Sequence, residues 1–220
     1  MKGVVTKVMG LYYTVYCDAI YINCVMRGKL RQLIEAGSKK FSNIIAVGDE
    51  VVITKLDDSS GVIEEILPRR NYFSRKEKGK HKKIDMIAAN CDCVVAMQSF
   101  ALPRLNLRFV DRIAVRCVEQ NIPLVVCINK CDLAKKGDYE YVDSYYKNTD
   151  VTVIISSVNT GYNIKALQDI LHQKTSVIVG YSGVGKTSIL NAMYPQLSLA
   201  VGEVSGSTGK GKHTTTNVSM

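Results

Sequence analysis

Hydrophobic and polar positions follow two different rhythms along this chain. Over residues 3–67 they alternate in short bursts, the period expected of strands with one buried face. Tyr12-Tyr13-Thr14-Val15-Tyr16-Cys17 and Ile20-Tyr21-Ile22-Asn23-Cys24-Val25 read as two strands joined by a turn at Asp18-Ala19. Asp49 to Thr54 and Gly61 to Ile66 read as another pair, joined through Asp57-Asp58-Ser59-Ser60. About five strands in about 65 residues predict a small closed barrel of the oligonucleotide-binding (OB) type, which often binds RNA through a strand face and loops.

The second rhythm begins near residue 90. Continuous apolar runs at 92–97, 123–128, 151–155 and 176–180 read as buried parallel strands. Between them apolar residues recur at helical spacing. Leu105, Phe109, Val110, Ile113, Ala114 and Cys117 predict a helix from Leu105 to Gln120. Tyr139 to Lys147 reads as a short surface helix, and Gly161 opens another through Ile164, Leu167, Ile170 and Leu171. The fold class is therefore an all-β barrel followed by an α/β domain with a doubly wound parallel sheet, incomplete at the C-terminus. The expected boundaries are 1–68 for the barrel, 69–83 for a basic linker and 84–220 for the α/β domain.

The candidate chemistry sits at the ends of these strands. Gly180-Tyr181-Ser182-Gly183-Val184-Gly185-Lys186-Thr187 fits G-x-x-x-x-G-K-[ST], between the strand Ser176 to Val179 and a helix running on through Ser188 to Met193. Glycines let successive N–H groups curl toward phosphate oxygens, and a helix starting near Lys186 adds its positive dipole end. Lys186 would reach the β- and γ-phosphates, and the Thr187 hydroxyl would ligate Mg²⁺. Upstream, the strand Leu124 to Ile128 runs into Asn129-Lys130-Cys131-Asp132-Leu133. The Asp132 carboxylate, expected to be buried, would accept from guanine N1–H and the 2-amino group, donors that adenine lacks there. Sites that leave a buried polar group unpaired with the wrong ligand can discriminate by roughly 10⁴-fold. Asn129 is expected to fix the loop, and the Lys130 stem to lie over the base. The strand Val151 to Ile155 leads into Ser156-Ser157, where a backbone N–H, that of Ser157, would donate to the guanine carbonyl oxygen.

The order of these motifs carries further information. In ordinary small GTPases the phosphate loop precedes the base-reading motif, whereas here it follows. That predicts a circularly permuted GTPase domain whose switch segments lie toward the C-terminus. Gly209-Lys210-Gly211-Lys212-His213-Thr214-Thr215-Thr216 is the candidate switch, with Thr215 or Thr216 completing Mg²⁺ coordination when a γ-phosphate is present. The D-x-x-G element that senses the γ-phosphate should follow. The one letter match, Asp58-Ser59-Ser60-Gly61, lies in the barrel and reads as a hairpin turn. The two strands that normally follow the switch are also missing, and one of them would flank the phosphate-loop strand. The expectation is a fragment, or part of a longer protein.

Composition narrows the setting. The apolar fraction of 46% suits a packed globular protein. No run approaches the about 18 apolar residues a membrane helix needs, and Met1 to Thr6 does not read as a signal peptide. Seven cysteines, with Cys24, Cys93 and Cys127 in strand-like runs, suit reduced thiols in a cytosol. Cys91-Asp92-Cys93 lacks a second Cys/His pair at zinc spacing and reads as core. The expectation is a cytoplasmic monomer with no membrane partner. Net charge is +9. From Arg69 to Lys83, eight basic residues (Arg69, Arg70, Arg75, Lys76, Lys78, Lys80, Lys82, Lys83) face the single acid Glu77, giving +7. Beside a barrel, such a run is a candidate contact for an RNA phosphate backbone.

Taken with the barrel, Ile87-Ala88-Ala89-Asn90, the base-reading motif, Gly180 to Ser188 and Gly211-Lys212-His213-Thr214-Thr215-Thr216, the chain resembles the circularly permuted, small-subunit-dependent GTPases called the RsgA or YjeQ family. Few other GTPases carry the last stretch, although the family commonly has Arg where this chain has Lys212. The resemblance implies a GTP- and GDP-binding bacterial factor acting late in assembly of the small (30S) ribosomal subunit. It would bind 16S rRNA, hydrolyse GTP when docked and then leave. It also implies a C-terminal domain with Cys and His ligands for Zn²⁺, which nothing in this sequence supplies. The family lacks the usual water-orienting Gln, which makes His213 a candidate to orient the attacking water or stabilise the transition state. Two alternatives from other readings are a non-catalytic GTP-dependent RNA-binding fragment and a permuted GTPase of large-subunit assembly.

Overall fold

The computed structural model describes residues 1–28, 32, 41, 43–76 and 84–199, with backbone alone at 76. These residues form two compact units, Met1–Cys91 and the described residues from Asp92 on.

In the first unit, β1 (Lys2–Met9), β2 (Tyr12–Cys17), β3 (Ile20–Met26), β4 (Glu50–Lys55) and β5 (Ser60–Ile66) close in the order β1-β2-β3-β5-β4. Neighbours are antiparallel except β3 and β5, which run parallel from Asn23 opposite Ser60 to Met26 opposite Ile63. The alternation read from the sequence is the reason. Val5, Val15, Ile22, Val51, Ile53 and Ile63 point into the barrel and are fully buried, while Tyr12, Tyr16 and Tyr21 point out. Closure leaves the barrel no open edge.

The stretch read as a basic linker contains β6 (Tyr72–Lys76), which pairs antiparallel with β7 (Ile84–Ala89). Residue 84, where the second domain was expected to open, starts β7 in the first unit. The hairpin is held to that unit by bridges from Phe41 to Ile84 and from Val47 to Ala88, and by the buried ring of Phe73. The residues 77–83 lie outside the described ones.

The second unit is a parallel sheet of β8 (Cys93–Ser99), β9 (Leu124–Asn129), β10 (Thr152–Ile155) and β11 (Ser176–Gly180) in the order β10-β9-β8-β11. Each expected strand is present, and every pairing is parallel. All seven residues of β8 are buried, as a central strand covered on both faces requires. On one face α3 (Ile164–Leu171) and α4 (Lys186–Met193) set Leu167, Leu171, Ile189 and Met193 against Val95, Met97, Cys127 and Ile154. On the other, α1 (Leu107–Glu119) and α2 (Asp138–Tyr146) set Leu107, Val110, Val142 and Tyr146 against Ala96, Val126 and Ile128. The helix α2, read as a surface helix, thus buries one side. Among the described residues no helix is long and apolar enough to cross a membrane.

Candidate nucleotide site

Parallel strands all deliver their carboxyl ends to one edge of the sheet, and here four loops meet at that edge. The strand β11 ends at Gly180, and the loop to α4 follows. Gly183 and Gly185 take φ of 85° and 95°, a region that L side chains avoid. A Cβ on Gly185 would stand 2.3 Å from Asn129 Nδ2, so the loop closes on the base-reading segment only without a side chain there. The Lys186 ammonium donates to the carbonyls of Gly180 at 3.0 Å and Tyr181 at 2.9 Å, which curls it over the loop, and burial lowers its pKa. The Thr187 hydroxyl lies in the first turn of α4, beside Lys186. It is one hard oxygen of the kind that suits Mg²⁺. Ser182, Val184 and Ser188 complete the loop and first turn, with Val184 fully buried.

The strand β9 delivers the second loop. Asn129 is 2% exposed, and its Nδ2 donates to the Val184 carbonyl at 3.0 Å, while its Oδ1 has no partner. It thus fixes the loop, as expected. Lys130 adopts a left-handed φ of 60°, turning the chain into the short 3₁₀ segment Cys131–Leu133. The Lys130 ammonium bonds the Leu102 carbonyl, and burial lowers its pKa against the opposing pull of Asp132.

Asp132 departs from the expectation of burial. Its carboxylate is exposed, and its oxygens accept from Ser157 Oγ at 2.5 Å and Asn159 Nδ2 at 3.1 Å. The Ser157 hydroxyl is the main reason that its pKa is lowered. A rim carboxylate already holding two donors keeps acceptor capacity for a third group. Asn159 was not read from the sequence, although it lies in the polar turn after Ser157.

Two further features concern β10's loop. The Ser157 N–H donates to the Tyr162 carbonyl at 3.1 Å, so a guanine oxygen would compete with that bond. Ser156 is fully buried, with its N–H on the Ile128 carbonyl at 2.9 Å and its hydroxyl 3.5 Å from Cys127 Sγ, so it anchors the loop from below.

A family model described as RsgA GTPase matches residues 66–220, and one described as RsgA N-terminal domain matches residues 2–63. The small ribosomal subunit biogenesis GTPase RsgA of Chlorobaculum parvum is 34% identical over all of this chain and 72% of its own length. The protein of that name from Alkaliphilus metalliredigens is 32% identical, covering all of this chain and 70% of its own. The chain belongs to the RsgA GTPase family. Among solved structures, YjeQ from Thermotoga maritima superposes with a TM-score of 0.71 at 30% identity, over 90% of this chain and 66% of its own. YloQ, titled a circularly permuted GTPase, gives 0.64 at 27% identity over 96% and 69%. The reversed motif order of this RsgA-family chain agrees with that permuted topology.

Several residues singled out in this RsgA-family sequence stand elsewhere. Arg69 was a candidate for binding phosphate, but its guanidinium makes a forked pair with the fully buried carboxylate of Asp49, at 2.6 Å from Nε and 2.7 Å from Nη2. Arg70 donates to the Asn90 carbonyl at 2.6 Å. Arg75 pairs with Asp85 at 2.8 Å and stays largely exposed. The side chain of Lys76, together with Lys78, Lys80, Lys82, Lys83, His213, Thr215 and Thr216, lies outside the described residues. The Asp58-Ser59-Ser60-Gly61 match is the β4–β5 turn. Asp57 organises it, accepting the Ser59 and Ser60 N–H groups at 2.8 Å each, and the Ser60 hydroxyl leads in holding its pKa down at about 2. Among the described residues no cluster of three or more His, Cys, Asp or Glu side chains is placed to hold a metal.

Proposed function

We propose that this chain binds GTP with Mg²⁺ and hydrolyses it to GDP and phosphate when stimulated by the small (30S) ribosomal subunit, acting late in that subunit's maturation. The observation that carries the reading is the bond from Asn129 to the Val184 carbonyl, which joins the base-reading and phosphate-binding loops into one site. Lys186 and the loop N–H groups hold the phosphates, Thr187 offers its hydroxyl to the cation, and Asp132 reads the guanine. The Thr187 hydroxyl would help hold Mg²⁺, whose positive charge would offset the negative charge that develops on the phosphates. Thr215 or Thr216 would add a second metal ligand, and His213 would orient water. Support for the partner comes from the relatives, which are named small ribosomal subunit biogenesis GTPases. The barrel of 1–68 and the exposed basic residues after it would contact 16S rRNA, and the protein would work as a cytoplasmic monomer.

A second reading is a GTP-dependent RNA-binding module without turnover of its own. GTP hydrolysis with and without purified small subunits, with GTP binding measured alongside, separates the two. Stimulated turnover supports the first, and tight GTP binding with no stimulation supports the second. Replacing His213 with Ala should preserve GTP binding and abolish stimulated turnover; unchanged turnover removes His213 from the mechanism.

A further inference from the structure

Helix α1 and the turn before it carry a row of arginines that the nucleotide site does not use. Arg104, Arg108, Arg112 and Arg116 recur at every fourth residue. One turn of helix separates neighbours within α1, a rise of about 6 Å per step. Leu107, Val110 and Cys117 fix the inward face, and at about 100° per residue Arg108, Arg112 and Arg116 fall on the opposite side. These four are all the arginines from Asp92 to the C-terminus, where the remaining Lys/Arg positions are all Lys. Solubility alone does not distinguish the two side chains. A planar guanidinium, with donors arranged as a fork, suits phosphate oxygens specifically.

The row is also poorly neutralised. Arg116 pairs with Glu119 at 2.6 Å across the surface, an interaction of small worth in water. Arg112 reaches only a neutral acceptor, the Tyr181 hydroxyl at 3.5 Å. Arg104 and Arg108 make no ion pair among the described residues, and both are exposed. Over residues 104–119 four arginines face Asp111 and Glu119, a net +2. Asp111 is itself turned to α2, where it accepts from the Tyr145 hydroxyl at 2.8 Å. The third member of the row leads to the nucleotide. Tyr181, in the phosphate loop, packs its ring on Phe109 of α1 at 4.5 Å while its hydroxyl meets Arg112.

We propose that the outer face of α1, together with the turn that precedes it, is a binding surface for the phosphate backbone of structured RNA, with Arg104, Arg108 and Arg116 as its phosphate ligands and Arg112 linking it to the phosphate loop. The proposal rests on the reading that this chain works on ribosomal RNA, and it adds a surface in the GTPase domain to the barrel side of that interface. An RNA that drew Arg112 away from Tyr181 would loosen the loop that holds Lys186.

The test uses the full chain, a fluorescent RNA hairpin of about 20 base pairs and purified small subunits, with binding followed across a salt series. Neutralising one arginine that binds a phosphate should make the slope of log affinity against log salt shallower by about 1. The triple variant R104Q/R108Q/R116Q should therefore bind RNA at least about 10-fold more weakly at low salt and show a slope shallower by about 2 to 3. Its GDP affinity should stay native, which confirms folding, and the triple Lys variant should keep the native salt slope while binding RNA more weakly than the arginine protein. Unchanged RNA affinity and slope in the Gln variant overturn the surface while leaving the proposed function intact. If the native chain binds RNA and subunits at no salt concentration, the proposed function fails with it. Loss of binding to poly-glutamate with RNA binding retained overturns it in favour of an acidic protein partner.

Discussion

Asn129 holds Val184: its side-chain amide donates to the Val184 carbonyl at 3.0 Å, and both residues are buried. Fifty-five positions separate them in sequence, yet this bond sets the spacing between the loop that reads the base and the loop that holds the phosphates. Asn129→Ala would leave a buried carbonyl without its donor, at a cost of about 1–3 kcal/mol. Thermal unfolding should show that loss, and nucleotide titration should show weaker binding of GDP and GTP alike. A variant with native melting and native GDP affinity would mean that the two loops are positioned independently. Gly185→Ala is the complementary change. Its Cβ would overlap Asn129 Nδ2 from a left-handed φ, so it should weaken nucleotide binding more than it alters the melting of the barrel.

Asp132 should read guanine over a wide acid range. The Ser157 hydroxyl lowers its pKa, so the ionised form is favoured. A lowered carboxyl pKa means that the contribution is present above the ordinary value and lost as pH falls through the lowered one. The preference for GDP over ADP, in which the phosphate titration cancels, should then stay level from pH 7 to about 5 and decline only below the ordinary carboxylate value of about 4. In Ser157→Ala the decline should begin at higher pH. Identical profiles for the two proteins, both still folded by circular dichroism, would remove Ser157 from control of the base reader.

The parts legible in sequence were those fixed by burial. β8 and β9 are nearly continuous apolar runs because both of their faces are covered, and the barrel strands alternate because one face is. The phosphate loop was legible because its backbone needs glycine at fixed places. The hairpin of β6 and β7 was not, since Tyr72-Phe73-Ser74-Arg75-Lys76 holds one fully buried apolar side chain and reads as a charge run. The setting of Asp132 was hidden for another reason. Whether a carboxylate at a strand end lies in the core or on the rim depends on the loop beside it, and Asn159 reaches it from 27 residues away. The pairing of Arg69 was hidden because composition shows a charge but not its partner.

The turn between β2 and β3 carries a correctable strain. Asp18 and Ala19 have φ of 48° and 65°, both in the left-handed region that a two-residue hairpin loop of this hand demands. Asp tolerates that region, whereas alanine's Cβ does not favour it, at about 1 kcal/mol. Ala19→Gly should stabilise the barrel by about 0.5–1 kcal/mol, read as an upward shift in its thermal or urea midpoint. A downward shift would show that the gain in unfolded-chain freedom outweighs the relief.

Arg69 and Asp49 should behave as one structural unit. Asp49 is wholly buried, its Oδ2 also accepts the Ala46 N–H at 2.8 Å, and the Arg69 Nη2 donates to the Ile44 carbonyl at 2.7 Å. Removing either partner strands a buried charge or its donors, so Asp49→Asn and Arg69→Gln should each destabilise the first unit by about 3–5 kcal/mol. The double variant should cost well below the sum, because the second change removes a group that the first had already left unpaired. The same experiment bears on RNA. An arginine with its Nε and both Nη2 hydrogens committed internally has little left for a phosphate, so Arg69→Gln should lower the melting temperature while leaving the salt dependence of RNA binding at its native slope, unlike the α1 variants. A native melting curve with a shallower salt slope would reverse the assignment and return Arg69 to the RNA surface.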